Sequence, residues 1–230
     1  MANKHWRWRY NRHSTRIKVM IETPCMFLSE PMQKHLQQEI QHPNKQWVFA
    51  ILRRESEQAS IKLDTPDYML LPDTQTIYRR GVEDCVNWMS IMKDPALRNI
   101  RDLRAKHIPL LLEMKQACFA AIKKENPNIR EDELMVYANY PPSVQTLHFH
   151  FCSPYIFPWS FDAFRIHPLD AIVNNLRLKP DYYLVSDLTI SLHENSPLYR
   201  IYHPDPPIDE LLPPKATRLV VPVDQDLDSG

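Results

Sequence analysis

The chain has only two glycines in 230 residues, Gly81 and Gly230. Phosphate-binding loops and dinucleotide fingerprints need clustered glycines to bring backbone amides against phosphate, so both are excluded. Any phosphate bound here must be held by side chains. Cysteine is also scarce: Cys25, Cys85, Cys118 and Cys152 stand far apart and form no CxxC pair. They read as reduced, mostly buried thiols, the usage expected of an intracellular protein. No apolar run approaches the roughly 18 residues a membrane helix needs, so no membrane span is expected. Trp6, Arg7 and Arg9 interrupt any signal-peptide core near the start. Neither charge sign is in excess, with 28 Lys plus Arg against 28 Asp plus Glu. This argues against a protein that coats long duplex nucleic acid. The charge is nonetheless uneven, since "HWRWRYNRHSTRIK" near the start is basic and aromatic while the closing "DQDLDSG" is acidic.

What is present is ordinary globular composition, 43% hydrophobic and 24% charged, in a chain long enough for one well-buried core. Residues 1–42 show no clear period and read as a short N-terminal extension. Residues 43–203 read as the main domain, and 204–230, with six prolines, as an extended tail. Asn44 is placed to cap a helix "KQWVFAILRRESEQ". "ASIKLD" and "DYMLLPD" suit two short strands joined by a turn, and "CVNWMSIM" a third. The clearest helix is "LRAKHIPLLLEMKQACFAAIKKEN", with Ile108, Leu111, Leu112, Lys115, Cys118 and Ile122 recurring every three or four residues. Pro109 is tolerated only in a first turn, so this helix is expected to begin near Lys106. "DELMVYANY" and "QTLHFHFC" read as strands, "HPLDAIVNNLRL" as a second amphipathic helix, "SDLTISLHE" as a last strand and "SPLYRIY" as a closing helix. Short hairpin strands with interspersed helices give an α+β domain on an antiparallel sheet.

The stretch "VQTLHFHFC" sets two histidines one residue apart in an apolar run. Strand side chains alternate, and residues two apart point the same way about 7 Å from each other. Leu147, Phe149 and Phe151 are thus expected on a core face, with Thr146, His148, His150 and Cys152 on the other. Three readings compete. Random placement of ten histidines yields about 0.4 such pairs, so the motif alone proves nothing. Two imidazoles so spaced suit zinc, with Cys152 or His193 as further ligands, but no carboxylate or cysteine stands at a convincing spacing. Alternatively one imidazole attacks phosphorus while the other donates to phosphate oxygen.

"NYPPSVQTLHFHF" resembles the histidine-triad signature. The stretch from Ile21 to Tyr202 resembles the scavenger mRNA decapping enzyme family, mainly its C-terminal half. The strings that carry the likeness are "QWVFAILRRESEQASI", "DYMLLPD", "RNIRDLRAKHIPLLLEMKQ" and "DLTISLHENSPLYRIY". The resemblance implies a histidine-triad-like antiparallel sheet with flanking helices and hydrolysis of 7-methylguanosine cap remnants through a phosphohistidine. It implies His148 as nucleophile and His150 as phosphoryl support, with Ser143 and Arg165 as phosphate contacts. Trp47 would stack on the methylated guanine, Glu57 accept from its N1 and N2 edge, and Asp73 make a further contact. A methylated guanine carries delocalised positive charge, which suits an indole face and a carboxylate. No cofactor and no metal are implied. The partner is a methylated cap nucleotide or short capped RNA, with a homodimer and a cytoplasmic or nuclear location as further expectations.

The departures are at supporting positions. Thr146 stands where the first triad histidine would be, Asn139 replaces a histidine nine residues before the nucleophile, and Gln75 replaces a lysine. The N-terminal dimerisation region of the family is reduced to about 40 residues, which places its lid-like closure in doubt. These changes leave open a diverged protein that binds caps or nucleotides with little turnover. A nucleotide hydrolase without cap selectivity and a subunit of a larger assembly are also open readings.

Overall fold

The computed structural model describes residues 16–73, 86–153 and 163–204. The chain opens with β1 (Ile17–Glu22), α1 (Pro24–Leu28), α2 (Glu30–Gln41) and α3 (Gln46–Leu52). Strands β2 (Leu63–Asp64), β3 (Tyr68–Pro72) and β4 (Asn87–Met92) lead to the long helix α4 (Ile108–Glu125). Then come β5 (Met135–Asn139), β6 (His148–Cys152), β7 (Ile166–Pro168), α5 (Leu169–Leu178), α6 (Tyr182–Val185), β8 (Leu188–His193) and α7 (Pro197–Tyr202). Six strands form one antiparallel sheet in the order β2-β3-β4-β6-β5-β7, and β1 pairs with β8 in a separate ribbon. This is the α+β architecture, antiparallel sheet with flanking helices, that the sequence pattern predicts.

Local chemistry explains most of the boundaries. A 3-10 turn at Ala105–His107 leads into α4, whose first turn holds Pro109, where its missing N–H costs nothing. Leu111, Met114, Cys118 and Ile122 bury one stripe of that helix, and Lys123 and Lys124 sit at its negative end. Ser196 caps α7 by accepting from the Tyr199 amide over 3.2 Å.

Helix α3 departs from expectation. Asn44 lies in a 3-10 turn, Pro43–Lys45, whose cap is the His42 ring, and the α-helix stops at Leu52 rather than running to Gln58. Arg53 to Glu57 bring no apolar residue to extend the stripe, and Arg54 and Glu57 adopt left-handed backbone at φ 59° and 55°.

Both faces of the six-stranded sheet are covered, which is why every residue of β4 is buried. One face carries Tyr68, Leu70, Trp88, Phe149 and Phe151, which merge with the stripe of α4 and with Ile172 and Leu176 of α5 into the principal core. Each such side chain removed from water contributes about 1.5–3 kcal/mol. The opposite face carries Met69, Leu71, Met89 and Ile91, sealed by Val48 and Ile51 of α3 and by Val144.

Residues 17–41, without a clear pattern in sequence, contribute ordered structure to this core. β1 pairs with β8 over six positions, and Phe27, Met32 and Leu36 belong to the principal cluster. Glu22 ends β1 inside the protein, where it meets the fully buried Arg101 at 2.6 Å. The Arg101 guanidinium also donates to the carbonyls of Glu22, Tyr183 and Ser186, and the hydroxyls of Tyr140 and Tyr202 donate to Glu22. Every charged atom of the pair thus has a partner, the condition under which ions tolerate burial.

Candidate active site

The two histidines of β6 sit at the centre of the sheet. His148 faces Ile91 across the β4 pairing, while His150 faces Met89 on one side and Tyr137 of β5 on the other. Alternation turns Phe149 and Phe151 into the principal core and both imidazoles toward the α3 face. The rings lie 5.3 Å apart, edge to face.

His148 is buried, with 5% of its surface exposed. Its Nδ1 lies 2.7 Å from the backbone carbonyl of Thr146. A carbonyl can only accept, so Nδ1 carries the hydrogen and Nε2 the lone pair. Burial holds the pKa of His148 below the ordinary histidine value, and the Arg165 charge adds to this. The Thr146 bond and the Asp73 carboxylate act the other way without restoring it. The ring is therefore neutral at pH 7, with one nitrogen fixed and the other nucleophilic.

His150 is held by different neighbours. Tyr137 stacks on its ring at 5.0 Å, and Asn139 Nδ2 approaches Nε2 at 3.3 Å. The amide nitrogen can only donate, so Nε2 accepts and the proton sits on Nδ1, 3.8 Å from an Asp73 carboxylate oxygen. Burial, then His148 and Arg165, pushes the His150 pKa down to about 3. Asp73 follows β3 and is anchored through its backbone, donating to the Asn87 carbonyl and accepting from the Asn87 side-chain amide, both at 2.8 Å. Seventy-seven residues of sequence separate Asp73 from His150, and adjacency of β3, β4 and β6 closes that distance.

The loop between β5 and β6 forms the rim. Arg165 Nη2 donates to the Pro141 carbonyl at 3.1 Å, and the Arg165 carbonyl accepts from the Tyr140 amide at 2.7 Å. Its charge acts on both imidazoles. Ser143 is exposed on this loop, and its carbonyl accepts from Lys45 Nζ. Trp47, half-buried, packs with the α3 cluster over the face that bears the histidines. Glu57 is exposed on the turn after α3, and among the described residues no hydrogen bond or ion pair joins its carboxylate to the others. Gln75 lies outside the described residues.

The structure therefore brings His148, His150, Asp73, Asn139, Thr146 and Arg165 together, sets Trp47 on the same face, and holds Glu57 exposed on the turn that follows α3. Two residues of this neighbourhood were not singled out in sequence. Tyr137 shares a strand face with Asn139, a period-two signal that was available. Lys45 carries no local signal and is identified only by its contact with Ser143.

Among the described residues no group of three His, Cys, Asp or Glu side chains converges on a point that would hold a metal ion. His193 belongs to the separate β1–β8 ribbon, and the Cys152 thiol, raised to about 11 by burial, faces the Tyr137 hydroxyl at 4.0 Å. What the constellation offers is a neutral imidazole nucleophile, a second oriented imidazole and a guanidinium, the parts of a phosphoryl-transfer site.

The family model described as "Scavenger mRNA decapping enzyme C-term binding" matches residues 46–160. The chain is 32% identical over 160 residues to an m7GpppX diphosphatase of Ascaris suum, covering 67% of this chain and 52% of that protein. It is 28% identical over 195 residues to the m7GpppX diphosphatase of Schizosaccharomyces pombe, covering 82% of this chain and 62% of that one. The chain spans about half the length of most of the curated relatives it matches. Among solved structures, a crystal structure of the aprataxin ortholog Hnt3 in complex with DNA aligns with a TM-score of 0.39 and 14% identity. That alignment covers 72% of this chain and 94% of that one, and at this score it carries no argument.

Proposed function

The chain belongs to the scavenger mRNA decapping enzyme family, and on that footing we propose that it hydrolyses 7-methylguanosine cap remnants. The substrates are cap dinucleotides or short capped oligonucleotides. The observation that supports this most directly is the state of His148: neutral, with Nδ1 pinned to the Thr146 carbonyl and Nε2 left as the nucleophile.

In the reaction, His148 Nε2 forms a bond to the phosphorus nearest the methylated guanosine as the bond from that phosphorus to the bridging oxygen breaks. The electron pair leaves with the diphosphate of the other nucleoside. Water then attacks the phosphohistidine, loses a proton and releases 7-methylguanosine monophosphate with the imidazole restored. Covalent capture divides one difficult displacement into two easier ones. His150 supports the phosphoryl group beside the nucleophile, and the Arg165 guanidinium stabilises charge on its oxygens. Trp47 supplies the stacking platform and Glu57 the base-edge acceptor, the latter reaching the ligand from its exposed turn. The homodimer and the cytoplasmic or nuclear location rest on the resemblance; among the described residues no helix is long and apolar enough to cross a membrane.

A second reading, a binding protein with little turnover, is favoured by one observation. Thr146 brings no imidazole, and its buried hydroxyl has no hydrogen-bond partner among the described residues. Incubation with a methylated cap dinucleotide separates the two. Cleavage by the wild type that disappears in His148→Asn supports the hydrolase; tight binding without cleavage by the wild type supports the binder. Equal turnover of the unmethylated dinucleotide removes cap selectivity from the proposal.

A further inference from the structure

Lys45 joins the two ends of the candidate site and takes no part in the proposed reaction. It closes the 3-10 turn Pro43–Lys45, and Trp47 follows as the second residue of α3. Its Nζ crosses 98 residues of sequence to donate to the Ser143 carbonyl in the loop between β5 and β6. His148, whose Nε2 is the proposed nucleophile, closes that same loop at the start of β6.

The segments at both ends of this bond are held in place, the condition for a tether to transmit position. On the α3 side, His42 Nδ1 accepts from the Asn44 amide at 3.2 Å, and the Lys45 amide donates to the His42 carbonyl at 2.9 Å. Gln46 Nε2 donates to the Ile40 carbonyl at 2.8 Å, which closes the elbow between α2 and α3. On the loop side, Val144 is buried in the cluster that holds Val48 and Ile51 of α3. Gln145 Oε1 accepts from Asn99 Nδ2 at 3.1 Å, and the Thr146 carbonyl orients His148. Arg165 holds the start of the loop through the Pro141 carbonyl.

The surroundings of Lys45 suit a tether better than a phosphate ligand. Glu39 Oε2 lies 3.7 Å from Lys45 Nζ, so a carboxylate already offsets this cation. That separation exceeds a hydrogen bond, which leaves the ammonium protons to the Ser143 carbonyl. A charged donor on a carbonyl makes one of the stronger hydrogen bonds. Both side chains of the ion pair are about a quarter exposed, so the pair itself adds little.

We propose that Lys45 is a positioning residue that sets the register between the Trp47 platform and His148, and thereby which phosphorus of the cap chain meets Nε2. This role rests on the cap-hydrolase reading. A methylated base on Trp47 fixes one end of a flexible triphosphate, and the tether fixes where the nucleophile stands relative to that end. Displacement at the phosphorus nearest the methylated guanosine yields 7-methylguanosine monophosphate and GDP from a cap dinucleotide whose second base is guanine. One phosphorus further along, Nε2 bonds to the middle phosphorus as its bond to the oxygen leading to the ordinary guanosine breaks. The electron pair then leaves with GMP, and water, losing a proton, releases 7-methylguanosine diphosphate. A misplacement of about 1 Å can change a rate about a hundredfold, so a loosened register shows in the products.

The experiment reads product identity rather than rate. Wild type, Lys45→Met, Lys45→Arg and Glu39→Gln turn over the cap dinucleotide, the two methylated products are separated by chromatography, and each unfolding midpoint is measured. The share of 7-methylguanosine diphosphate should rise by about fivefold or more in Lys45→Met. It should stay within about twofold of wild type in Lys45→Arg, which keeps a cationic donor, and in Glu39→Gln, which keeps the tether. A share unchanged in Lys45→Met overturns the proposal even where its rate falls, because general damage to the fold slows both cleavages alike. Tenfold tighter binding of 7-methylguanosine monophosphate by Glu39→Gln also overturns it, since the freed cation is then a phosphate ligand. Amide exchange across residues 143–147 supplies a second measure and should quicken about fivefold in Lys45→Met at an unchanged midpoint. Equal exchange in wild type and Lys45→Met overturns the tether. If the wild type leaves the dinucleotide intact, the hydrolase reading falls on that result alone, and amide exchange still decides whether Lys45 holds the loop.

Discussion

The Nδ1 of His148 donates to the backbone carbonyl of Thr146, two residues earlier in the chain, across 2.7 Å. In the family signature the position of Thr146 belongs to a histidine. Here the orienting contact for His148 comes from the main chain, which any side chain at 146 supplies. The Thr146 hydroxyl is itself buried without a hydrogen bond among the described residues.

Thr146→Val is therefore expected to leave turnover within about threefold of wild type, a change of under about 1 kcal/mol in barrier. It should also hold or raise stability by up to about 1 kcal/mol, because an unsatisfied buried hydroxyl is removed at constant shape. Steady-state kinetics and denaturant unfolding check both halves. A hundredfold loss of kcat would show that the hydroxyl, not the carbonyl, carries the function of this position.

Stability should fall on the acid side of neutrality. Burial pushes His150 down to about 3 and His167 down to about 4, both below the ordinary histidine value near 6.5. In both cases the unfolded chain takes up the proton first. Their contribution is complete above pH 6.5 and is lost as pH falls, until about 4 for His167 and about 3 for His150. Each costs about 1.4 kcal/mol per pH unit within its window. His167→Phe retains a ring against Tyr140 and Tyr183 and should reduce the slope between pH 6 and pH 4. An unchanged slope in chemical denaturation would remove His167 from this account.

Glu22→Ala should lower the unfolding free energy by about 3–5 kcal/mol, the cost of leaving a buried partner charge uncompensated. Arg101 would be stranded with its carboxylate removed, and the hydroxyls of Tyr140 and Tyr202 would lose their acceptor. Replacement of the pair with Glu22→Leu and Arg101→Met should recover much of the loss. Urea unfolding of the single and double variants decides whether the pair acts as a unit.

Trp47→Ala is expected to weaken binding of 7-methylguanosine monophosphate by about 1–3 kcal/mol, the range for a base stacked on an aromatic ring. Part of the Trp47 side chain packs on the α3 cluster, so the unfolding midpoint will drop as well. Trp47→Phe separates the effects, keeping most packing while reducing the cation–π term. Unaltered affinity in Trp47→Ala would place the methylated base elsewhere.

Element by element, the sequence was most legible where one period dominated. The stripe of α4 and the alternation of β6 each follow from spacing, because burial selects one face of a helix or strand. Boundaries set by left-handed backbone, as at Arg54 and Glu57, left no such trace in residues other than glycine. The fold of residues 17–41 was equally hidden: β1 is paired by β8, and Glu22 is satisfied by groups 79 to 180 residues away.

The amino-acid order by itself determined that phosphate must meet side chains, that His148 and His150 share a strand face, and that the chain resembles the family signature with Thr146 in place of its first histidine. Only the tertiary structure decided which nitrogen of each ring carries the proton, because that depends on Thr146, Asn139 and Asp73 arriving from three different segments. It also brought Arg165 against the loop between β5 and β6, where its charge acts on both imidazoles. Periodicity is local and survives in sequence; hydrogen-bond partners and enclosed volume are long-range and exist only once the chain has folded.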